Sequence, residues 1–389
     1  MENAPADHRS MAPGLNVFVH LAENKDAEQW RRRWLNQTLV GVNEETPYGY
    51  GRAEKLGCRV TFSRAFPEGQ FAKFLRYGLR LLLGFDFLHA WRQRVALQRA
   101  DVVWTHTESQ YLAVAAVLLI TGYETRLIGQ SVWLFDHWDR LSWMRQRLYA
   151  SLIDRVDVLT FLSSANMRLA KVRFPDSDVR FVPFGIPAEA KLTPRIRAEE
   201  PFRILAIGSD RHRDWKTLID VVKSRPDMSL TILSGTVPRR LVAGVPNIEV
   251  RLARKSDELG DAFARANLVC VPLKENQHAS GITVIQEAVL FGVPVIASDT
   301  GGLRDYFADD EIRYVPSGDP AALLATLLEM REHPQEAYQM AVRAQARMGK
   351  NGLGAEAYIK DHVRISHELM WAGRRHSARN SLKMISSNA

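Results

Sequence analysis

At 389 residues, with 46% hydrophobic and 25% charged side chains, the chain is too long for one core, which stops growing at roughly 250–300 residues. Two folded domains are therefore expected, and large-scale disorder is excluded. The only cysteines, Cys58 and Cys270, lie too far apart in sequence to suggest a disulfide framework or a zinc motif. A formal net charge of +8 suits a phosphate-rich partner: nucleic acid, nucleotide or anionic lipid.

Residues 1–13 are polar, with no apolar stretch after a basic start, so they read as a disordered N-terminus and not as a secretory signal. From residue 14 short strand-like runs recur: NVFVHLA (16–22), CRVTFS (58–63), DVVWTHT (101–107), TRLIGQS (125–131), VDVLTFL (156–162) and VRFVPFG (179–185). Segments with helical spacing, such as AEQWRRRWLNQTLVG and RLSWMRQRLYASLIDR, separate them. Within the first half, residues 71–99 mix bulky apolar side chains with arginines. The segment reads either as an amphipathic basic helix lying on an anionic membrane surface or as a core helix with a solvated cationic face. The longest apolar run, Leu112 to Ile120, is about half of the ~20 residues a membrane span needs. A cytoplasmic location is expected.

A polar, proline-containing stretch over residues 186–201 reads as a linker. The pattern then restarts with FRILAIGS (202–209), MSLTILSG (228–235), NIEVRLA (247–253), NLVCVPL (267–273) and VPVIASD (293–299). Such alternation predicts an α/β fold of two doubly wound, Rossmann-like parallel-sheet domains, 14–185 and 202–350. Helices over 351–372 are predicted to pack back across the first domain, and 373–389 reads as a basic disordered tail.

In doubly wound sheets ligands sit beyond the carboxyl ends of strands. After the strand VCVPL, the loop KENQHASG leads at Gly281 into the helix TVIQEAVLF, which stops at Gly292. The free N–H groups of such a helix start, near Ile282 and Thr283, suit a pyrophosphate, and Glu287 is placed to accept hydrogen bonds from a ribose diol. The loop IGSDRHRDWKTLIDVV (207–222) offers close backbone approach at Gly208 and cations at Arg211, Arg213 and Lys216, suited to a leaving diphosphate. In the first half, NEETPYGYGRAEKLG (43–57) and LFDHWDR (134–140) are the loops expected to meet the other substrate. Both gather aromatic rings and carboxylates.

Residues 257–302 and the run ILAIGSDRHRDWKTLIDVV resemble the donor-binding half of retaining GT-B glycosyltransferases, especially those of glycosyltransferase family 4. RFVPFGI (180–186) is similar to the end of their first domain, and DVVWTHT to one of its strands. The resemblance implies two domains facing a cleft, a nucleotide diphosphate sugar donor and a saccharide or lipid-linked saccharide acceptor. It implies that Glu287, as the second glutamate of an E-x7-E motif, holds the ribose. Arg213 stands for a phosphate-binding lysine and Arg211 for a nearby arginine, because Ser209 occupies that arginine's usual position. Ser280, Gly281 and Ile282 match the backbone that touches sugar and phosphates. The first glutamate of the motif falls on Ala279; Glu275 or His278 are the candidates to replace it. His137 resembles a first-domain histidine that contacts the donor sugar.

The expected activity is thus metal-independent, retaining transfer of a sugar in exopolysaccharide or surface-glycan assembly, at the inner face of the cell membrane and with peripheral contact through 71–99. Arg211, Arg213 and Glu287 carry the donor chemistry, with no metal and no cofactor beyond the co-substrate. Glu44, Glu45, Tyr48 and His137 are the acceptor or sugar contacts, while an inverting reaction would draw its base from Glu44, Glu45 or Asp136. A nucleotide-sugar epimerase and a non-catalytic nucleotide-sugar-binding partner are the rivals. A dehydrogenase is disfavoured because neither half has a G-x-G-x-x-G after its first strand. Nucleic acid is disfavoured because the basic residues are scattered and match no reader motif.

Overall fold

In the computed structural model, which describes residues 14–350 and 352–386, the strands fall into two sheets. The first contains β1 (Asn16–His20), β2 (Arg59–Phe62), β3 (Val102–Thr105), β4 (Arg126–Ser131), β5 (Val158–Phe161) and β6 (Val179–Phe181) in the order β2-β1-β3-β4-β5-β6. The second contains β7 (Phe202–Ile207), β8 (Met228–Leu233), β9 (Ile248–Arg251), β10 (Leu268–Val271), β11 (Val295–Ser298) and β12 (Arg313–Val315) in the order β12-β11-β10-β7-β8-β9. Every strand pair is parallel. Strands β3, β5, β10 and β11 are buried at every residue, as sheets covered on both faces require, and this is why their sequences are apolar apart from Thr105, Thr160 and Ser298. β12 is absent from the sequence prediction; three residues after a turn carry too little pattern to register.

Helices α1 (Ala27–Leu35), α2 (Gln70–Leu83), α3 (Phe87–Arg92), α4 (Arg94–Arg99), α5 (Glu108–Thr121), α6 (Trp143–Ile153) and α7 (Ser164–Arg173) accompany the first sheet. Helices α8 (Trp215–Lys223), α9 (Ser256–Arg265), α10 (Ile282–Leu290), α11 (Pro320–Glu332) and α12 (Pro334–Lys350) accompany the second, and α13 (Ala355–Ser386) closes the chain. In the second sheet the order reverses between β7 and β10. The loops after these two strands, which hold the sequence-predicted donor residues, therefore flank the crevice of a doubly wound sheet.

The chain passes twice between the domains, and the two passages touch. The Ala355 amide donates to the Ile186 carbonyl at 2.9 Å, and a Cβ on Gly185 would stand 2.3 Å from the Gly354 backbone. Gly185 therefore has no room for a side chain where the two backbones cross. α13 then returns to the first domain, where the Tyr358 and Tyr50 hydroxyls are 2.9 Å apart and Trp104 Nε1 donates to Ser366 Oγ at 2.9 Å. Its helical backbone runs to Ser386, which corrects the disordered tail expected from residue 373; after Gly373 no proline or glycine interrupts the helix. The predicted disordered N-terminus, 1–13, lies outside the described residues.

Residues 71–99 are not one helix but α2, α3 and α4, because Gly84 takes a left-handed conformation and ends α2. The polarity of α2 is the reverse of a core helix with a cationic face. Arg76 is its one buried residue, held by Glu23, Glu68 and Asp86. Phe71 (81% exposed), Phe74, Leu75, Leu81 (80%) and Leu82 instead face outward. Arg76→Met should leave three carboxylates facing one another beside a buried apolar group. A loss of about 3–5 kcal/mol in unfolding free energy is expected, measured by chemical denaturation.

Candidate active site

β7 ends at Ile207, and Gly208 (φ +130°) turns the chain away from the sheet. Arg213 then folds its side chain back beneath the strand end and is 6% exposed. A Cβ on Gly208 would lie 2.4 Å from Arg213 Nε, and one on Gly281 2.8 Å from Nη1. The two glycines therefore admit the guanidinium group between β7 and the start of α10. Arg213 Nε and Nη1 have no hydrogen-bond partner among the described residues. Burial lowers its pKa to about 10, partly offset by Asp210, so it stays charged at neutral pH. An enclosed cation with unused N–H groups, beside a helix whose N-cap Gly281 supplies no side-chain cap, is built to receive an anion.

Glu287 lies in the second turn of α10 and is also 6% exposed. Its Oε1 accepts from the Val42 amide at 2.9 Å, so the first-domain loop around Gly41 covers it. Gly41 (φ +111°) has to be glycine, because a Cβ there would stand 2.7 Å from Oε1. Burial pushes the carboxyl up to about 7, moderated by the Val42 amide.

Ala279 adopts a left-handed φ of +54° and is fully buried, so position 279 directs no polar group into the cleft. The loop around it is organised by Asn276, whose Oδ1 accepts from the amides of His278 and Ser280 at 3.2 and 3.4 Å. His278 meets the first domain: its Nδ1 is 2.5 Å from Asp136 Oδ2, which also accepts from the Gln277 amide. Asp210 accepts from the Ser280 hydroxyl at 2.7 Å and from the His212 amide at 2.9 Å. Burial opposes the charge on Asp210, but His278, the His212 amide and the Ser280 hydroxyl hold its carboxyl well below the usual range. Burial also opposes protonation of His278, but Asp136 and Asp210 hold its pKa above the ordinary value. Asp136, His212 and His278 each bring one ligating atom within 4.8 Å of the others, a spacing compatible with a cation.

Between α5, α6 and the Asp210–Arg211 loop lies a cavity of about 610 Å³ lined by Leu112, Trp133, Leu134, His137, Tyr149 and Arg211 among others. Arg211 is thus placed toward the first domain and His137, away from the position of Arg213. Ser209 and Thr283 are exposed beside the same loops, and Ile282 is buried at the helix start. Several predicted contacts are not free to serve. Lys216 points to solvent and pairs with Asp220 one turn along α8. Glu44 is spent on Arg52, with both oxygens within 2.9 Å of its Nε. Glu45 pairs with Arg31 at the surface. Tyr48 is stacked 3.6 Å from the His106 ring, and burial raises its pKa to about 12. Each of these had plausible composition, but Lys216, Glu44 and Glu45 are taken up by ion pairs and the Tyr48 ring is covered by His106. Asp210 and His212 were missed, though both sit inside the cationic loop already singled out; an acid amid arginines was the available signal.

Residues 190–333 match the family described as Glycosyl transferases group 1. The chain is a GT-B glycosyltransferase. A curated relative, the GDP-mannose-dependent alpha-mannosyltransferase of Mycobacterium tuberculosis (strain CDC 1551 / Oshkosh), is 25% identical over 352 residues, covering 80% of this chain and 84% of the relative. Among solved structures, sucrose-phosphate synthase from Thermosynechococcus elongatus superposes with a TM-score of 0.70 at 16% identity, covering 92% of this chain and all of that one. Anabaena HepE in complex with UDP-glucose gives a TM-score of 0.63 at 14% identity, covering 92% and 99%. The enzyme is a hexosyltransferase acting on a nucleotide-sugar donor.

The Glu287 carboxyl has a folded pKa near 7 against an ordinary 4.5. Folding therefore favours its protonated form: that stabilisation is complete below pH 4.5 and is lost as pH rises through 7. Glu287→Gln should gain on the wild type with rising pH, by about 3 kcal/mol above pH 8, in denaturation curves. A ribose diol donating to the carboxylate should also make nucleotide binding release a proton between pH 5 and 7. Calorimetry in buffers of different ionisation enthalpy should detect that release in the wild type and not in the variant.

Proposed function

We propose that the enzyme transfers a hexose, with retention, from a nucleotide diphosphate sugar to a lipid-linked saccharide at a membrane surface, in exopolysaccharide or surface-glycan assembly, and that it needs no metal. The observation that carries the reading is the buried Arg213 guanidinium, with unused N–H groups between Gly208 and Gly281 and Glu287 in the same cleft. As the bond from C1 to the leaving phosphate oxygen breaks, negative charge grows on the diphosphate, and a fixed cation lowers that barrier. The acceptor hydroxyl forms the new bond to C1 and its proton passes to the departing phosphate oxygen, so no protein base is required. Arg213 and the α10 N-terminus supply the positive charge that a metal would otherwise bring. The mycobacterial relative makes GDP-mannose the first donor to test.

An amphiphilic acceptor is supported by the first domain. The apolar face of α2 is exposed together with Trp143 and Met144 at the start of α6. Lys73 and Arg80 flank it on the surface, suiting anionic headgroups. α6 is tied to the end of this helix: Arg145 donates to the Leu81 carbonyl at 2.7 Å and Tyr149 to the Leu83 carbonyl at 2.8 Å. Arg145, Tyr149 and Gly84 also line the 610 Å³ cavity that reaches Arg211. Among the described residues no helix is long and apolar enough to cross a membrane; the contact proposed is peripheral.

Arg213→Ala should lower kcat by about 10²–10³-fold in a radiolabelled transfer assay. Activity should persist in EDTA, and loss restored by a divalent ion would overturn the metal-free reading. Phe74→Asp combined with Leu81→Asp should abolish co-sedimentation with anionic liposomes while leaving nucleotide affinity unchanged. Wild-type protein that stays in the supernatant at low salt would refute the membrane contact.

A further inference from the structure

Two loops of the second domain, 208–214 after β7 and 274–281 before α10, meet the first-domain turn Phe135–Arg140 in a cluster of two histidines and two carboxylates. Each histidine is held through Nδ1: that of His278 is 2.5 Å from Asp136 Oδ2, and that of His212 is 3.1 Å from Asp210 Oδ1. A carboxylate on one ring nitrogen fixes the imidazole with its other nitrogen presented to a metal, and makes that nitrogen more basic. In His278 the other nitrogen, Nε2, is buried without a hydrogen-bond partner among the described residues, as is Asp136 Oδ1. The two side chains are 2% and 5% exposed, and buried polar atoms left in this state cost free energy. The spacing around Nε2 is that of shared ligands rather than of a hydrogen bond. His278 Nε2 stands 3.6 Å from Asp210 Oδ2, beyond hydrogen-bond length, whereas two donors each about 2.1 Å from one tetrahedral ion sit roughly 3.4 Å apart. The His212 and His278 rings are 4.7 Å apart, and His212 brings a ligating atom within 4.8 Å of those of His278 and Asp136. Arg211 adds one positive charge beside the cluster, which the two carboxylates outweigh. Imidazole nitrogens favour zinc-class ions over magnesium and calcium, which take oxygen ligands.

We propose that His212, His278, Asp210 and Asp136 bind a divalent transition-metal ion of the zinc class, and that the bound ion inhibits the enzyme. His212 and His278 ligate it through Nε2 and Asp210 through Oδ2, while Asp136 orients His278 from the first domain. The transfer proposed above uses no metal, so the ion has no part in the reaction. It ties together the two loops that flank the crevice of the second sheet and, through the Asp136–His278 bond, fastens them to the first domain. A loaded site therefore holds the cleft against entry of a donor. The metal site goes beyond the transfer reading and stands without it; the inhibition rests on that reading.

The test begins with zinc alone, titrated by calorimetry into the full chain after EDTA treatment and dialysis. One ion should bind, and cobalt in its place should give the visible bands of a tetrahedral nitrogen and oxygen site without a thiolate charge-transfer band. His212→Ala, His278→Ala and Asp136→Asn should each weaken zinc about 10-fold or more, and melting in EDTA close to that of the wild type shows that they fold. In the radiolabelled transfer assay zinc should lower the wild-type rate about 10-fold or more, EDTA should restore it and magnesium should do neither. Residual transfer by His212→Ala should resist zinc. Zinc that does not bind, that binds both histidine variants as tightly as the wild type, or whose cobalt substitute shows thiolate ligation would overturn the site. Zinc bound at the cluster with transfer unchanged would overturn the inhibition. Wild type that binds zinc but transfers no sugar from any donor would sink the transfer reading, and the inhibition with it, while the metal site stands.

Discussion

A buried guanidinium group, its charge only partly offset by Asp210, is the constraint around which the second domain is arranged. Arg213 reaches its place only because Gly208 and Gly281 carry no side chain, and its unused N–H groups make the empty cleft electrostatically costly. In the reaction we propose, a diphosphate would relieve that cost, and the same charge would act more strongly as the leaving group gains charge.

The two sheets are brought together by polar contacts of uneven character. Glu287 to Val42 and His278 to Asp136 lie in the cleft and involve groups that a substrate would compete for. Away from the cleft, Ser164 bonds Asp305, and the Tyr306 hydroxyl bridges the Leu162 carbonyl and the Phe184 amide. The backbone crossing at Gly185 and Gly354, with α13 laid on the first domain, gives a tether of two adjacent strands of chain.

The first domain shows how burial can invert a sequence pattern. In α2 the arginine is inside, because Glu23, Glu68 and Asp86 surround it, and the phenylalanines and leucines are outside. Periodicity reports that a helix has two unlike faces; it does not report which face the neighbouring elements neutralise. The acids and aromatics of residues 43–57 illustrate the same limit. Glu44 and Tyr48 have the composition of a sugar site, yet Arg52 and His106 occupy them.

The alternation of β-branched runs with helical spacing, and its restart after residue 201, determined two doubly wound domains from sequence alone, since parallel strands buried on both faces are built mainly from apolar residues. Local order also marked the donor loops, because Gly208, Gly281 and Glu287 lie at fixed offsets from strand ends. Only the tertiary structure decided which cations are buried, placing Arg213 under the glycines and Lys216 in solvent. It alone joined Asp136 to His278, 142 residues apart. Hydrogen bonds across a domain interface depend on where two independent backbones come to lie, and neither spacing nor composition encodes that within a single segment.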